Sequence, residues 1–253
     1  MLMVVYMLTA QGKKDEFILQ AHRGWSELYP ENTIIAFEAA GKCKAFDGIE
    51  TDVQETADLS LVLMHDRKLD RTTNATGKIK DYTFQEIQEF QIDGGNHVEE
   101  YPDEKIPTLE DFLDICRKYE KTPYIEMKSL TKEGVQKLLE TLEDGGWNGK
   151  CVLTTFQYKN VKRVRKITSD YPVEYMVTGE FDIHEVIEQL QGYDNIVFRP
   201  SAYVITEEMV ELCKAHGIGI ECYGLKVRDK KRLEELKKLG VSGGTCNDWR
   251  GLD

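Results

Sequence analysis

Residues 173–223 read VEYMVTGEFDIHEVIEQLQGYDNIVFRPSAYVITEEMVELCKAHGIGIECY, and this stretch decides the fold. A short apolar run at 173–177 precedes a helix-spaced apolar pattern at 182–191. A second run at 195–198, a second helical pattern at 207–216 and a third run at 218–223 follow. Short apolar runs bounded by turn residues are strands, and the longer spaced patterns are helices. Lys214-Ala-His-Gly217 supplies the basic residue and glycine that punctuate a helix C-terminus. Strand, helix and strand in that order call for parallel pairing through right-handed crossovers.

The same alternation extends outward in both directions. Further strands are predicted at 17–21, 48–53, 123–127, 151–156 and 241–245, with helices at 32–45, 108–118, 132–143, 159–167 and 229–239. Eight strands in 253 residues favour closure into a (β/α)8 barrel, an α/β fold, over an open doubly wound sheet. No GxGxxG or GxxxxGK[ST] follows a strand, so the nucleotide-binding α/β folds lose their phosphate loop. Residues 54–107, with a further apolar run at 61–64, read as an insertion at the active face after the second strand. Residues 1–253 are accordingly expected to form one domain. Only a few residues follow the eighth strand, so the eighth helix is expected to be missing. Residues 1–16 are expected to cover part of that gap or the barrel floor.

Composition narrows the function. The net charge is −12, from 45 acidic and 33 basic residues, which disfavours a general nucleic-acid binder or a protein held on anionic membranes. Six scattered cysteines without a CxxC pair read as free thiols of a reducing compartment. The N-terminal MLMVVYMLTAQGKK lacks a leading basic region and is too short to span a bilayer, so a cytoplasmic protein without stable membrane insertion is expected.

Buried parallel strands should be near-continuous Val, Ile and Leu. Gly48-Ile-Glu-Thr-Asp-Val53 breaks that rule with Glu50 and Asp52 on one face, and Pro123-Tyr-Ile-Glu-Met-Lys128 does so with Glu126 and Lys128. If those faces point inward, three carboxylates converge at the C-terminal mouth, where barrel active sites lie. Buried anions so close need compensation, and an all-oxygen set suits Mg²⁺, Ca²⁺ or Mn²⁺. The alternative is structural ion pairing, Glu126 with Lys128 and Asp52 with an arginine. His22 and Arg23 end the first strand, and His65 and Asp66 end the run at 61–64. Two imidazoles beside a metal suit general acid–base work, with Arg23 and Lys128 supplying charge for a phosphoryl group. His97, His184 and His216 read as structural.

In order along the chain stand Ala21-His-Arg-Gly24, Pro30-Glu-Asn-Thr33, Ala36-Phe37, Ile49-Glu-Thr-Asp-Val53, Met64-His-Asp66, Leu69-Asp-Arg-Thr-Thr73, Gly77, Ile106-Pro-Thr-Leu109 and Ile125-Glu-Met-Lys128. This series closely resembles the glycerophosphodiester phosphodiesterase family over about half the chain. The resemblance implies a TIM barrel that cleaves glycerophosphodiesters to sn-glycerol 3-phosphate and an alcohol with a divalent cation, Mg²⁺ or Ca²⁺. It implies His22 and His65 as the acid–base pair, Glu50, Asp52 and Glu126 as metal ligands, and Arg23 and Lys128 as phosphate contacts. Asn32 is implied to be structural.

The pattern departs from the family towards the C-terminus. Cys222-Tyr-Gly-Leu225 stands where many members have Trp-Thr-Val-Asn, and Gly243-Gly-Thr-Cys-Asn-Asp248 replaces Gly-Ile-x-Thr-Asp-x-Pro. Tyr223 is expected as the aromatic wall of the pocket, Asn247 or Asp248 in place of the usual acid, and Phe156 as a substrate contact. Two other readings share the motifs: a phospholipase-type enzyme of the same barrel group, and a catalytically silent module that binds glycerol phosphates.

Overall fold

The computed structural model describes residues 17–250 except Val227, and most of its strands are followed by a helix. The strands are β1 (Ile18–Ala21), β2 (Gly48–Glu55), β3 (Leu61–Leu63), β4 (Thr122–Met127), β5 (Val152–Thr155), β6 (Val173–Met176), β7 (Ile196–Arg199), β8 (Gly219–Ile220) and β9 (Gly243–Cys246). The helices are α1 (Ile34–Lys42), α2 (Phe84–Ile87), α3 (Leu109–Lys118), α4 (Lys132–Asp144), α5 (Tyr158–Arg165), α6 (Ile183–Leu190), α7 (Glu207–Ala215) and α8 (Lys230–Leu239).

The parallel order runs β8-β7-β6-β5-β4-β2-β1-β9. A parallel bridge between Cys222 and Gly244 joins the two ends of this order. Cys222 N donates to Gly243 O at 2.9 Å there, and Leu225 N to Thr245 O at 3.1 Å. The sheet thereby forms a nearly closed eight-stranded barrel, as the strand–helix alternation predicts. No helix follows β9 among the described residues, and residues 1–16 lie outside them.

Ile49, Val53, Ile125, Met127, Leu153, Val173, Ile196, Phe198 and Ile220 point out from the barrel into one core, where they meet Phe37, Phe112, Leu138, Val161 and Leu236 of the helices. The alternate positions point inward and are far more polar than the buried-strand rule predicts: Gln20, Glu50, Asp52, Glu126, Glu174, Arg199 and Glu221 are all buried. The helices start where side chains satisfy their first amides. Thr108 accepts from Asp111 N in a capping box at α3, and Thr131, Asp182, Thr206 and Asp229 cap α4, α6, α7 and α8. Gly240, at φ 88°, ends α8 in the left-handed conformation that its Lys-Lys-Leu-Gly sequence foretells.

The insertion is built on β3, which runs antiparallel to β2 with Val53 opposite Leu63. Leu61 and Leu63 belong to the main core, while Val62 and Met64 face a second cluster with Leu69, Ile79, Ile87, Ile92 and Ile106. Packing on both faces fixes the strand, and His65 leaves its end at a defined height above the barrel mouth.

Candidate active site

Glu50, Asp52 and Glu126 point inward from neighbouring strands, because β2 and β4 pair with Asp52 opposite Glu126. Their carboxylate oxygens lie within 4.8 Å of one another and are buried. The ion pairs that the sequence offers as the alternative reading are present. Lys128 Nζ lies 2.7 Å from Glu126 Oε1 and 3.4 Å from Asp52 Oδ1, and Arg23 Nε lies 3.4 Å from Asp52 Oδ2. The pairs do not point away from the site; they are part of it.

Two cations against three close carboxylates leave a charge deficit, and its effect is uneven. Burial, then repulsion from Asp52 and Glu126, pushes the Glu50 carboxyl well above the usual carboxylate range. Burial and Asp52 push Glu126 up to about 7 against the pull of Lys128. Burial also acts to raise Asp52, but Lys128, Arg23 and His65 outweigh it and hold that carboxyl low. Asp52 Oδ1 is buried without a hydrogen bond among the described residues. A buried all-oxygen group whose Asp52 Oδ1 has only the Lys128 ammonium, 3.4 Å away, as an ion-pair partner among the described residues fits a divalent cation.

Asp52 is held from a second side. Asn32 Nδ2 donates to Asp52 Oδ2 at 2.9 Å, while Asn32 Oδ1 accepts from Thr51 Oγ1 at 2.9 Å and Asp52 N at 3.3 Å. Asn32 is therefore structural in the sense that the sequence implies. Arg23 takes the left-handed conformation at φ 56°, and its amide donates to Glu50 Oε2 at 2.8 Å. Gly24 follows at φ 76°, where a Cβ atom would lie 2.7 Å from the Ala36 carbonyl carbon. That close approach lets the chain turn straight from His22 onto α1.

His22 Nδ1 lies 2.7 Å from Asn247 Oδ1, beyond the end of β9. An amide oxygen only accepts, so Nδ1 carries a proton and Nε2 presents a lone pair to the mouth. Burial, and next the Arg23 guanidinium, lower its pKa to about 4, so the ring is neutral at pH 7. His65 Nδ1 lies 2.7 Å from Asp66 Oδ1. Arg71 grips Asp66 through Nε at 2.7 Å and Nη2 at 3.1 Å, and also binds Glu31, whose Oε1 accepts from Arg23 Nη1 at 3.0 Å. A continuous ionic chain thus runs from His65 through Asp66, Arg71, Glu31 and Arg23 to Asp52. Both imidazoles lie within electrostatic reach of Asp52.

The Phe156 and Tyr223 rings meet edge to face at 5.6 Å, and the Tyr223 hydroxyl donates to Val177 O at 2.9 Å. They form a half-buried aromatic pair at the ends of β5 and β8. Asp248, the other candidate for the missing acid, instead accepts from Trp25 Nε1 at 3.1 Å and pairs with Arg250. Residue-by-residue reading left out Glu31 and Arg71, although both lie inside quoted motifs. It also left out a buried network below the carboxylates. Arg199 Nη1 donates to Glu174 and Nη2 to Gln20, and Gln20 Nε2 donates to Glu221 Oε2 at 2.7 Å.

Comparison with known proteins places this geometry. The model of the glycerophosphoryl diester phosphodiesterase family matches residues 22–248, which span the interval from His22 to Asp248. The chain belongs to that family. A glycerophosphodiester phosphodiesterase of Caldanaerobacter subterraneus is 32% identical over 232 residues, covering 90% of this chain and 93% of its own. A Bacillus subtilis protein of the same name is also 32% identical, over 92% of this chain and 84% of its own. Among solved structures, an Oleispira antarctica phosphodiesterase in complex with the product sn-glycerol-3-phosphate superposes with a TM-score of 0.78 at 24% identity. That match covers 91% of this chain and 92% of the other, and it shows a shared barrel fold. As a family member the chain is a phosphodiester hydrolase. No helix among the described residues is long and apolar enough to cross a membrane.

Proposed function

We propose that the protein hydrolyses glycerophosphodiesters to sn-glycerol 3-phosphate and an alcohol in a reaction that needs a divalent cation. The observation that carries this reading is the convergence of Glu50, Asp52 and Glu126 at a mouth that also receives His22 and His65. The names of the relatives and the product bound to the Oleispira antarctica structure support the substrate class.

Glu50, Asp52 and Glu126 would hold Mg²⁺ or Ca²⁺, and the bound cation supplies positive charge against the phosphoryl oxygens. Arg23 and Lys128 add two further charges on that side. His22, neutral with a free Nε2, takes the proton of the nucleophile, which is water or the substrate's own glycerol 2-hydroxyl. The bond from phosphorus to the leaving oxygen breaks, and that oxygen takes a proton from His65 Nε2. Asp66 Oδ1, 2.7 Å from His65 Nδ1, orients the ring for this transfer. With water these two transfers complete the hydrolysis; with the 2-hydroxyl they give a cyclic phosphate, which water then opens as His65 takes the water's proton and His22 returns one to the 2-oxygen. Phe156 and Tyr223 line the path of the substrate.

The acidic balance of the chain favours a small-molecule substrate over nucleic acid. Six free cysteines, five of them buried, are consistent with a reducing cytoplasm. Coupled detection of glycerol 3-phosphate released from glycerophosphocholine tests the proposal. Release should stop with EDTA and return with Mg²⁺ or Ca²⁺. Tight binding of glycerophosphodiesters without release under any metal condition would identify a silent binding module instead.

A further inference from the structure

At the C-terminal end of β2, reached by Gln54 and Glu55, lies a cavity of about 370 Å³ whose walls carry Arg67, Lys68, Lys78 and Lys80. All four side chains are exposed, and none pairs with a carboxylate among the described residues. This sets four cations against one wall carboxylate, Glu55, on a protein of net charge −12. The backbone holds the cations together: Lys68 and Lys78 form an antiparallel bridge, and Ile79 N donates to Arg67 O at 3.1 Å. Glu55 also lines the cavity, but its Oε2 accepts from Thr131 N and Thr131 Oγ1, each at 2.9 Å. Cations brought this close repel one another, and an entering anion relieves that repulsion.

Covalent links tie the cavity to the catalytic groups. Arg67 and Lys68 directly follow His65 and Asp66, and Ser129, in the wall, directly follows Lys128. Gln54 of the wall donates its amide to Met64 O at 2.8 Å and to Asp66 O, and so fixes the segment that presents His65. The Ser129 hydroxyl oxygen is buried without a hydrogen-bond partner among the described residues.

We propose that this cavity receives the alcohol portion of the substrate and selects alcohols that carry a second anionic group, a phosphate monoester above all. The proposal rests on the hydrolytic reading above, in which His65 protonates the leaving alcohol. Its test compares glycerophosphoinositol with glycerophosphoinositol 4-phosphate, which differ by one phosphate. The ratio of kcat/KM should favour the phosphorylated substrate by about tenfold at low salt and fall to near one in Lys78→Ala/Lys80→Ala. Turnover of glycerophosphoinositol should fall several-fold less in that variant than turnover of the 4-phosphate. A ratio unmoved by the two substitutions would overturn the subsite while leaving the hydrolytic activity intact.

Calorimetric binding of the same pair to His65→Ala protein reads the subsite without turnover. Tighter binding of the 4-phosphate, lost on adding Lys78→Ala/Lys80→Ala, supports the subsite even if no diester is hydrolysed. Equal affinities with both lysines present overturn it.

Discussion

Asn247 Oδ1 accepts a hydrogen bond from His22 Nδ1 at 2.7 Å, so a neutral amide orients this histidine while a carboxylate, Asp66, serves the other. In the proposed mechanism His22, held neutral by burial and by Arg23, takes the part of the base, and His65 takes that of the acid.

Asn247→Asp should therefore change the pH profile more than the fold. A carboxylate beside His22 raises its pKa from about 4. The ring then stays protonated to higher pH, and the acid limb of kcat/KM moves upward by about 1–3 units. Asn247→Ala should lower kcat by about tenfold or more, because the tautomer is no longer fixed. Initial-rate pH profiles of both variants check this, and an unmoved acid limb in Asn247→Asp would contradict the orienting role.

Metal binding should strengthen as pH rises. Glu126 is pushed up to about 7, so below that pH a proton competes with the cation for it. Glu50, also raised, works in the same direction. Affinity for Mg²⁺ or Ca²⁺ should increase by roughly tenfold per pH unit for each proton displaced as pH rises through this range. Calorimetric titration at several pH values measures it, and a pH-independent affinity would show that these carboxylates are not the ligands.

Arg199 should matter for stability. It is the cation between buried Glu174 and the Gln20–Glu221 pair, and Glu174 Oε1 is already unpartnered among the described residues. Arg199→Met should cost about 3–5 kcal/mol in urea unfolding, since it strands a buried anion. Arg199→Met/Glu174→Gln should recover part of the loss. A loss below about 1 kcal/mol for the single variant would mean that the network carries little of the fold.

These contacts also show how far the sequence could be read. Strand–helix alternation with caps such as Thr108 and Asp229 made the barrel legible, because each signal is local. Glu50, Asp52 and Glu126 were legible because charge at alternate positions of a strand is unfavourable without a partner, and His22 and His65 because each ends an apolar run. A related signal was present at Glu174 and Glu221, inside runs read simply as apolar, and at Arg199, one residue past the run at 195–198. Their partners come from four different strands, and no spacing in one strand reveals them. Glu31 and Arg71 escaped for a related reason: each pairs across 40 residues, through a contact that only the folded insertion creates. The Lys68–Lys78 bridge is likewise a product of the folded loop, so the cations around the cavity are scattered in sequence.

Steady-state release of glycerol 3-phosphate by His22→Ala and His65→Ala, each loaded with metal and confirmed folded by circular dichroism, tests the central claim most directly. Turnover of glycerophosphocholine should fall by roughly 10²–10⁴-fold in each variant, with metal binding retained. Full activity in His65→Ala would contradict the two-histidine mechanism.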